Sequence, residues 1–274
     1  MKKVLTIAGS DSCGGAGIQA DLKSMCANGV YAMSVITAIT AQNTMGVFEV
    51  RDLDAEIIKA QIDAIFTDII VDAVKIGMVS KISTIDAITE KLQLYKPEII
   101  VLDPVMISKS GYSLLKSESK SALIKKLIPL VSLITPNVPE AEEILREVNL
   151  EFPDIETIED MEKAAKEMYK LGCKNILLKG GHMKGKAVDV FYDGIEITHF
   201  TSERINTKNT HGTGCTLSSA IAANLALGFT MKESVKKSKL YITIAIKHSL
   251  DIGHGVGPTN HFYELYKKAG MKND

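Results

Sequence analysis

"KVLTIAGSDSCGGAGIQADLKSMCANGVYAMSVITAIT" (residues 3–40) carries the pattern that decides the fold. It opens with "KVLTIAG" (3–9), an apolar, β-rich run suited to a strand buried on both faces. A glycine-rich turn follows. "IQADLKSMCANG" (18–29) then reads as a helix stopped by Gly29. "YAMSVITAIT" (31–40) is a second apolar run. Two buried strands joined through a helix make a βαβ unit, because parallel neighbours need a crossover and cannot be closed by a tight turn.

The alternation continues along the chain. Helical patterns cover 54–69, 84–95, 119–129 and 158–172, and Glu140 opens another after "TPN". Strand patterns cover 72–78, 98–106, 131–137 and 175–181. "AVDVFYDGIEITHF" (187–200) is a hairpin, two alternating runs joined by Asp193-Gly194. The last third is helical, over 213–228, 231–249 and 259–268. No Pro/Gly/Ser-rich linker interrupts the series and no repeat is visible. The expected architecture is one α/β domain over residues 1–274, three layers with a central, mainly parallel sheet. Ligands of such sheets bind beyond the carboxyl ends of the strands. "AGSDSCGGAG", "AQNT", "IGM", "DPVM", "TPN", "KGGH" and "GTGC" all fall there.

Bulk properties exclude several classes. The 274 residues are 46% hydrophobic with a net charge of −1. No basic face is clustered as nucleic-acid binding requires. No apolar run approaches the ~18–20 residues of a membrane span. The start, "MKKVLTIAGSDS", is too short in apolar residues for a signal peptide, so a cytoplasmic location is expected. Cysteines at 13, 26, 173 and 215 form no CxxC pair and match no zinc spacing. A metal here is expected to be a hard ion held by oxygens, such as Mg²⁺ arriving with a phosphate.

Each motif admits a chemical and a plain structural reading. "GSDSCGGAGIQAD" (9–21) is neither GxxxxGK[ST] nor GxGxxG, so the P-loop and dinucleotide fingerprints fail. It is either a flexible turn or a backbone that a small ligand approaches closely, with Asp21 a helix-dipole acid or a ligand contact. Gln42 in "TAQNT" (40–44) either satisfies nearby backbone or offers a donor and an acceptor to a heterocycle. Asp103 in "VLDPVM" (101–106), kept extended by Pro104, caps its own turn or faces a metal. Glu140, after Asn137, is a first-turn acid or shares a crevice with Asp103. Lys179 in "LLKGGH" (177–182) leaves for solvent or meets phosphate oxygens. In "NTHGTGCT" (209–216), Gly212-Thr213-Gly214 lead into a helix whose free N–H groups favour an anion. Cys215 is then either a small packing residue or a thiol made more acidic by the same field.

Taken together, these motifs resemble the hydroxymethylpyrimidine/phosphomethylpyrimidine kinases of thiamine biosynthesis, ThiD-type members of the ribokinase superfamily. The resemblance runs over about residues 3–265. It implies a ribokinase-like three-layer α/β/α fold. It also implies Mg·ATP-dependent phosphorylation of 4-amino-5-hydroxymethyl-2-methylpyrimidine, then of its monophosphate, by a homodimer. By position it makes Gln42, Asp21, Met78 and Val105 pyrimidine-pocket residues, bordered by the Ala16-Gly17 backbone. Asn137, Lys179, Thr210 and Gly212 match ATP contacts, and Asp103 and Glu140 the magnesium-side acids. Gly212, Thr213, Gly214 and Cys215 match the anion hole and the base position after it; Lys179 joins them as catalytic. "SKSGY" (108–112) is less glycine-rich than the family pattern. The nearest rival is a pyridoxal kinase of the same superfamily. A rival of another class is a non-catalytic pyrimidine-binding sensor, against which Asp103, Lys179 and Cys215 stand together.

Overall fold

A computed structural model describes residues 1–106, 115, 117–181, 183 and 185–271; "SKSGY" (108–112) and His182 of "KGGH" lie outside the described residues. Among the described residues nine strands form one sheet: β1 (Lys3–Asp11), β2 (Tyr31–Asn43), β3 (Gly46–Asp52), β4 (Ala73–Ile76), β5 (Ile100–Leu102), β6 (Leu133–Ile134), β7 (Ile176–Leu178), β8 (Ala187–Tyr192) and β9 (Ile197–Ser202). Their order is β3-β2-β1-β4-β5-β6-β7-β8-β9. The pairs from β2 through β7 are parallel, while β3, β8 and β9 add antiparallel edges.

Helices cover both faces. On one, α2 (Ala55–Phe66), α3 (Ile82–Tyr95), α4 (Ser117–Ala122), α5 (Val138–Val148) and α6 (Ile158–Tyr169) bury Ile58, Ile85, Ile144 and Met161 against Ile7, Ile76 and Leu102 of the strands. On the other, α1 (Gly17–Ala27), α7 (Thr213–Ala226) and α8 (Met231–Lys247) bury Met25, Ile221 and Ile242 against Val4, Val101 and Leu177. Successive side chains of one strand thus feed opposite cores, which is why the parallel strands are apolar throughout. α9 (Tyr263–Lys268) closes the described chain.

The three-layer, mainly parallel expectation holds. Local corrections have physical causes. β3 was not expected; it is a short edge strand of mixed polarity, GVFEVRD, with no buried side chain to set a clear period. The helix expected over 119–129 is three pieces. α4 passes into a π turn (Leu123–Leu127) and a 3₁₀ turn (Ile128–Leu130), where Pro129 cannot donate to a continuing helix. The last helix begins at Tyr263 instead of 259, because Thr259 and Asn260 turn inward and are buried.

Candidate active site

The chain runs from β1 to β2 on one side and afterwards fills the other side from β4 onward, so the strand order reverses at β1. A crevice is expected there, beyond the carboxyl ends. A cavity of about 500 Å³ opens at this place. Gly9, Ser10 and Asp11 line it from β1, Gln42 from β2, and Met78 from the loop after β4. The Thr37 hydroxyl donates to Met78 O at 2.8 Å and holds that loop against the sheet. Ala16 and Gly17 contribute the mouth of α1, and Val105 faces them from the loop after β5.

Charge gathers at the far end of the cavity. Asp103 is buried where β5 ends, and its Oδ1 accepts from Lys179 Nζ at 2.8 Å and from Thr135 Oγ1 at 3.2 Å. Lys179 follows β7, its backbone bridged to Asn137. Asn137 caps α5 in a reciprocal box: its side chain accepts from Glu140 N at 2.9 Å while Glu140 Oε2 accepts from Asn137 N at 2.8 Å. Burial pushes the Glu140 carboxyl well above its usual range, the nearby Asp103 adds to this, and Lys179 opposes it. Burial works against the Lys179 ammonium, but Asp103 and Glu140 outweigh it and raise its pKa. Burial disfavours a second bare carboxylate beside Asp103, a cost a divalent cation would offset, and the Asp103 and Glu140 oxygens are the hard donors a cation of the Mg²⁺ type prefers. Asp103 and Glu140 therefore fit such an ion.

The glycine turn completes that end. Gly212 is the N-cap of α7 at φ 75, and a Cβ there would lie 1.7 Å from Gly15 O, so only glycine closes this turn against the first loop. The first bond of the helix ladder runs from Thr216 N to Gly212 O at 2.9 Å, which places the Gly214 and Cys215 N–H groups ahead of it. A Cβ on Gly214 would sit 3.2 Å from Asp103 Oδ2 and 3.3 Å from Lys179 Nζ. The helix mouth and the ion pair are thus in contact, and Thr210, Gly212, Thr213, Gly214 and Cys215 all line the cavity.

Two expectations need correction. The Cys215 thiol is not acidified: enclosure pushes it up to about 12, the Asp21 and Asp103 charges push the same way, and Lys75 pulls down without prevailing. Desolvation of a thiolate here exceeds what a helix terminus returns. Asp21 does not line the cavity. It sits fully buried in α1 beneath the floor, with Lys75 Nζ at 2.8 and 2.9 Å from its two oxygens, Thr6 Oγ1 at 2.6 Å and Ser219 Oγ at 2.7 Å. It is also past the first helical turn, so it is no dipole acid. Lys75, a fully buried lysine of β4, lines the cavity in its place.

The sequence reading missed Lys75, Asp11 and His211. A lysine inside the buried run "DAVKIGM" is the one signal that could have found the first. Asp11 and His211 stand 200 residues apart and meet at 2.8 Å. With Cys13 they form the metal-compatible His/Cys/acid group found among the described residues. The Asp11 carboxylate is already engaged, however, by the N–H groups of Cys13 (3.0 Å), Gly15 (3.0 Å) and Ala16 (2.7 Å), so it anchors the first glycine loop. Burial opposes its ionisation, but His211 and the Ala16 N–H prevail and hold its pKa at about 2.

A second cavity of about 260 Å³ adjoins the first. Both are lined by Asn137, Lys179, Thr210, Thr213 and Gly214, and the second extends between Arg204 and α8. Two chambers that meet at Asn137, a lysine and a helix mouth, with buried acids on one side of that wall, suit the transfer of an anionic group between two small molecules. Comparison with known proteins agrees. The family model described as phosphomethylpyrimidine kinase matches residues 11–260. The hydroxymethylpyrimidine/phosphomethylpyrimidine kinase of Rhizobium meliloti is 48% identical over 266 residues, covering 96% of this chain and 98% of that protein. The crystal structure of phosphomethylpyrimidine kinase from Clostridium difficile 630 is 54% identical, with a TM-score of 0.79 over 90% of this chain and 100% of that one. An ADP complex of Bacillus subtilis pyridoxal kinase is 40% identical, with a TM-score of 0.89 over 97% of this chain and 99% of that one. Against a bifunctional thiamine biosynthesis relative from Geobacter sulfurreducens the chain spans about half the length, 52%. The chain belongs to the phosphomethylpyrimidine kinase family, and its fold is ribokinase-like.

Proposed function

We propose that this kinase transfers the γ-phosphoryl group of ATP to the hydroxymethyl group of 4-amino-5-hydroxymethyl-2-methylpyrimidine and then to the phosphate of the product, for thiamine biosynthesis. The observation that carries the reading is the shared wall: an acceptor chamber and a second chamber meet at Lys179 and the mouth of α7. The pyrimidine lies between Gln42, Met78, Val105 and the Ala16-Gly17 backbone, and ATP reaches the wall from the side of Asn137, Lys179, Thr210 and Gly212. Phosphoryl transfer with a loose transition state asks mainly for positioning and for charge compensation. The N–H groups of Gly214 and Cys215 and the Lys179 ammonium supply the positive side of that field. Asp103 and Glu140 would hold Mg²⁺, which supplies charge neutralisation on the phosphate oxygens. Thr213 and Gly214 shape the anion hole.

Cys215 enters as a neutral thiol positioned beside the acceptor hydroxyl. A loose transition state makes little demand on a base before the phosphorus–oxygen bond breaks, so a thiol that holds the alcohol in line meets the need. Lys75 replaces Asp21 as the charged group at the cavity floor. One domain, a homodimer and a cytoplasmic location belong to the same reading. The exposed apolar side chains of Ile39, Met45 and Phe48 around the β2–β3 edge support association.

The pyridoxal kinase reading is kept by the similarity to the Bacillus subtilis enzyme. ADP release measured with the pyrimidine, with its monophosphate and with pyridoxal separates the two. The expected result is the highest kcat/KM with the pyrimidine and measurable turnover of its monophosphate. A higher kcat/KM with pyridoxal overturns the assignment.

A further inference from the structure

Lys179 stands where the ladder on one side of β7 stops. β7 pairs with β8 in antiparallel register as far as Leu178 opposite Val190. On the β6 side pairing goes on, with Lys179 N donating to Pro136 O at 2.8 Å beside the bridge to Asn137. On the β8 side a side chain takes over from the ladder: Gly180 N donates to Asp189 Oδ1 at 3.0 Å. The two chains are close here, and a Cβ on Gly180 would lie 1.9 Å from Val188 O. The Asp189 carboxylate is fixed from a second direction. Its Oδ2 accepts from Lys239 Nζ of α8 at 2.6 Å, with the Lys239 and Asp189 side chains 12% and 4% exposed. One oxygen serves the end of β7 and the other serves α8, so rotation of the carboxylate would break both bonds. An ion pair this enclosed gives up hydration that its attraction only about offsets, and apolar side chains of similar size often serve stability as well. Beyond stability, the pair supplies a fixed, charged acceptor for one N–H, and such bonds are stronger than those to neutral oxygens.

We propose that Asp189, fixed by Lys239, is a positioning residue: by holding the Gly180 N–H it sets the backbone from which Lys179 reaches the wall between the chambers. This rests on the kinase reading above. Among the described residues, Asp189 and Lys239 line the second chamber beside Lys179, and neither lines the acceptor chamber. Asp103, which does line the acceptor chamber, grips the Lys179 ammonium at 2.8 Å. The lysine is thus held by its side chain from one chamber and by its backbone from the other. Asp103 alone leaves the ammonium free to swing about a single contact, because the lysine stem has several rotatable bonds. Fixing the backbone on both sides, at Pro136 and at Asp189, shortens that swing. A misplacement of about 1 Å in a charge-compensating group costs up to about 100-fold in rate. Asp189 therefore bears on the transfer step and not on acceptor binding.

The test compares two double variants of the full chain that carry the same charge. Asp189→Asn with Lys239→Met keeps an oxygen for Gly180 and leaves no lone charge. Asp189→Leu with Lys239→Met removes that oxygen and is otherwise similar in size. Turnover is measured with Mg·ATP and whichever of the pyrimidine and pyridoxal gives the higher kcat/KM. The Leu pair should have a kcat about tenfold or more below that of the Asn pair, with the same KM for the acceptor. With Lys179→Ala added to both, single-turnover rates with enzyme in excess should show the gap closed, because Asp189 acts through Lys179. Equal kcat for the two pairs, whatever their Tm, would mean that Asp189 only supports the fold and overturns the proposal; a gap that persists without Lys179 does the same. If the Leu pair does not fold, Asp189→Glu keeps a charge for Lys239 but carries the acceptor one methylene further out, and should lower kcat at unchanged acceptor KM. If the wild type phosphorylates neither ring, the acceptor reading fails, and hydrogen exchange of the Gly180 amide in the ligand-free protein still decides the hold. It should be slower in the wild type and the Asn pair than in the Leu pair, and equal rates overturn the proposal.

Discussion

Cys215 shows how burial and a helix terminus compete at one atom. The thiol lines the cavity at the start of α7, yet its pKa is pushed up to about 12 because enclosure and two carboxylates outweigh Lys75. Alkylation by iodoacetamide near neutral pH, mapped by mass spectrometry, should therefore modify the exposed Cys26 well before Cys215. Reaction of Cys215 at the rate of Cys26 or faster would restore the acidified thiol. Asp11 is the opposite case, a carboxyl held at about 2 against a usual 3.8. A depressed pKa gives stability that is full above the unfolded value and fades as pH falls through the folded one. The stability difference between wild type and Asp11→Asn, from urea titrations, should be constant above about pH 5 and narrow by about 2 kcal/mol towards pH 2. A difference that does not change between those limits counts against an ionised anchor. Asp11 was invisible in the sequence because its meaning depends on His211 at the other end of the chain. Asp103, Asn137 and Lys179 were legible because each interrupts an apolar run where a parallel strand ends, and the GTGC turn because it opens an apolar helix and does not follow a strand.

At the scale of elements, the ion pair between β4 and α1 shapes the floor of the site. Lys75 and Asp21 are both fully excluded from solvent, and Thr6 of β1 and Ser219 of α7 satisfy the remaining oxygen capacity of Asp21. Four elements therefore converge on one carboxylate. Removing one partner leaves the other charge buried without compensation, at a cost of about 3–5 kcal/mol. Lys75→Met should lower unfolding free energy by that amount, while Lys75→Met combined with Asp21→Leu should recover part of it because no lone charge remains. Additive losses in the double variant would contradict a coupled pair. The same scale shows where sequence periodicity succeeds. β1, β2 and β4 are apolar on both faces, and α5 and α6 carry capping boxes and apolar stripes, so their types could be read directly. β3 is held by pairing with β2 and not by burial, and pairing leaves no periodic trace in seven residues.

At the scale of the whole molecule, the two cores each cross the sheet from side to side. On one face a single apolar cluster runs from Val35 of β2 to Val190 of β8, and on the other from Val4 of β1 to Phe191 of β8. The active-site groups come from the ends of β1, β2, β5 and β7 and from the mouth of α7, all rooted in one sheet between the two cores. Thermal unfolding followed by far-UV circular dichroism and by calorimetry should then show one transition, with the same midpoint by both probes. A ligand bound in either chamber should move that whole transition. At about 100 times its Kd the added stability is about 2.7 kcal/mol, which raises Tm by about 5 °C or more for a chain of this size. ADP and the pyrimidine should each produce such a shift, and both together a larger one, because the chambers share a wall without sharing their volume. Two resolved transitions, or a ligand that moves only part of the signal, would divide the chain into independent units and remove the one-domain reading.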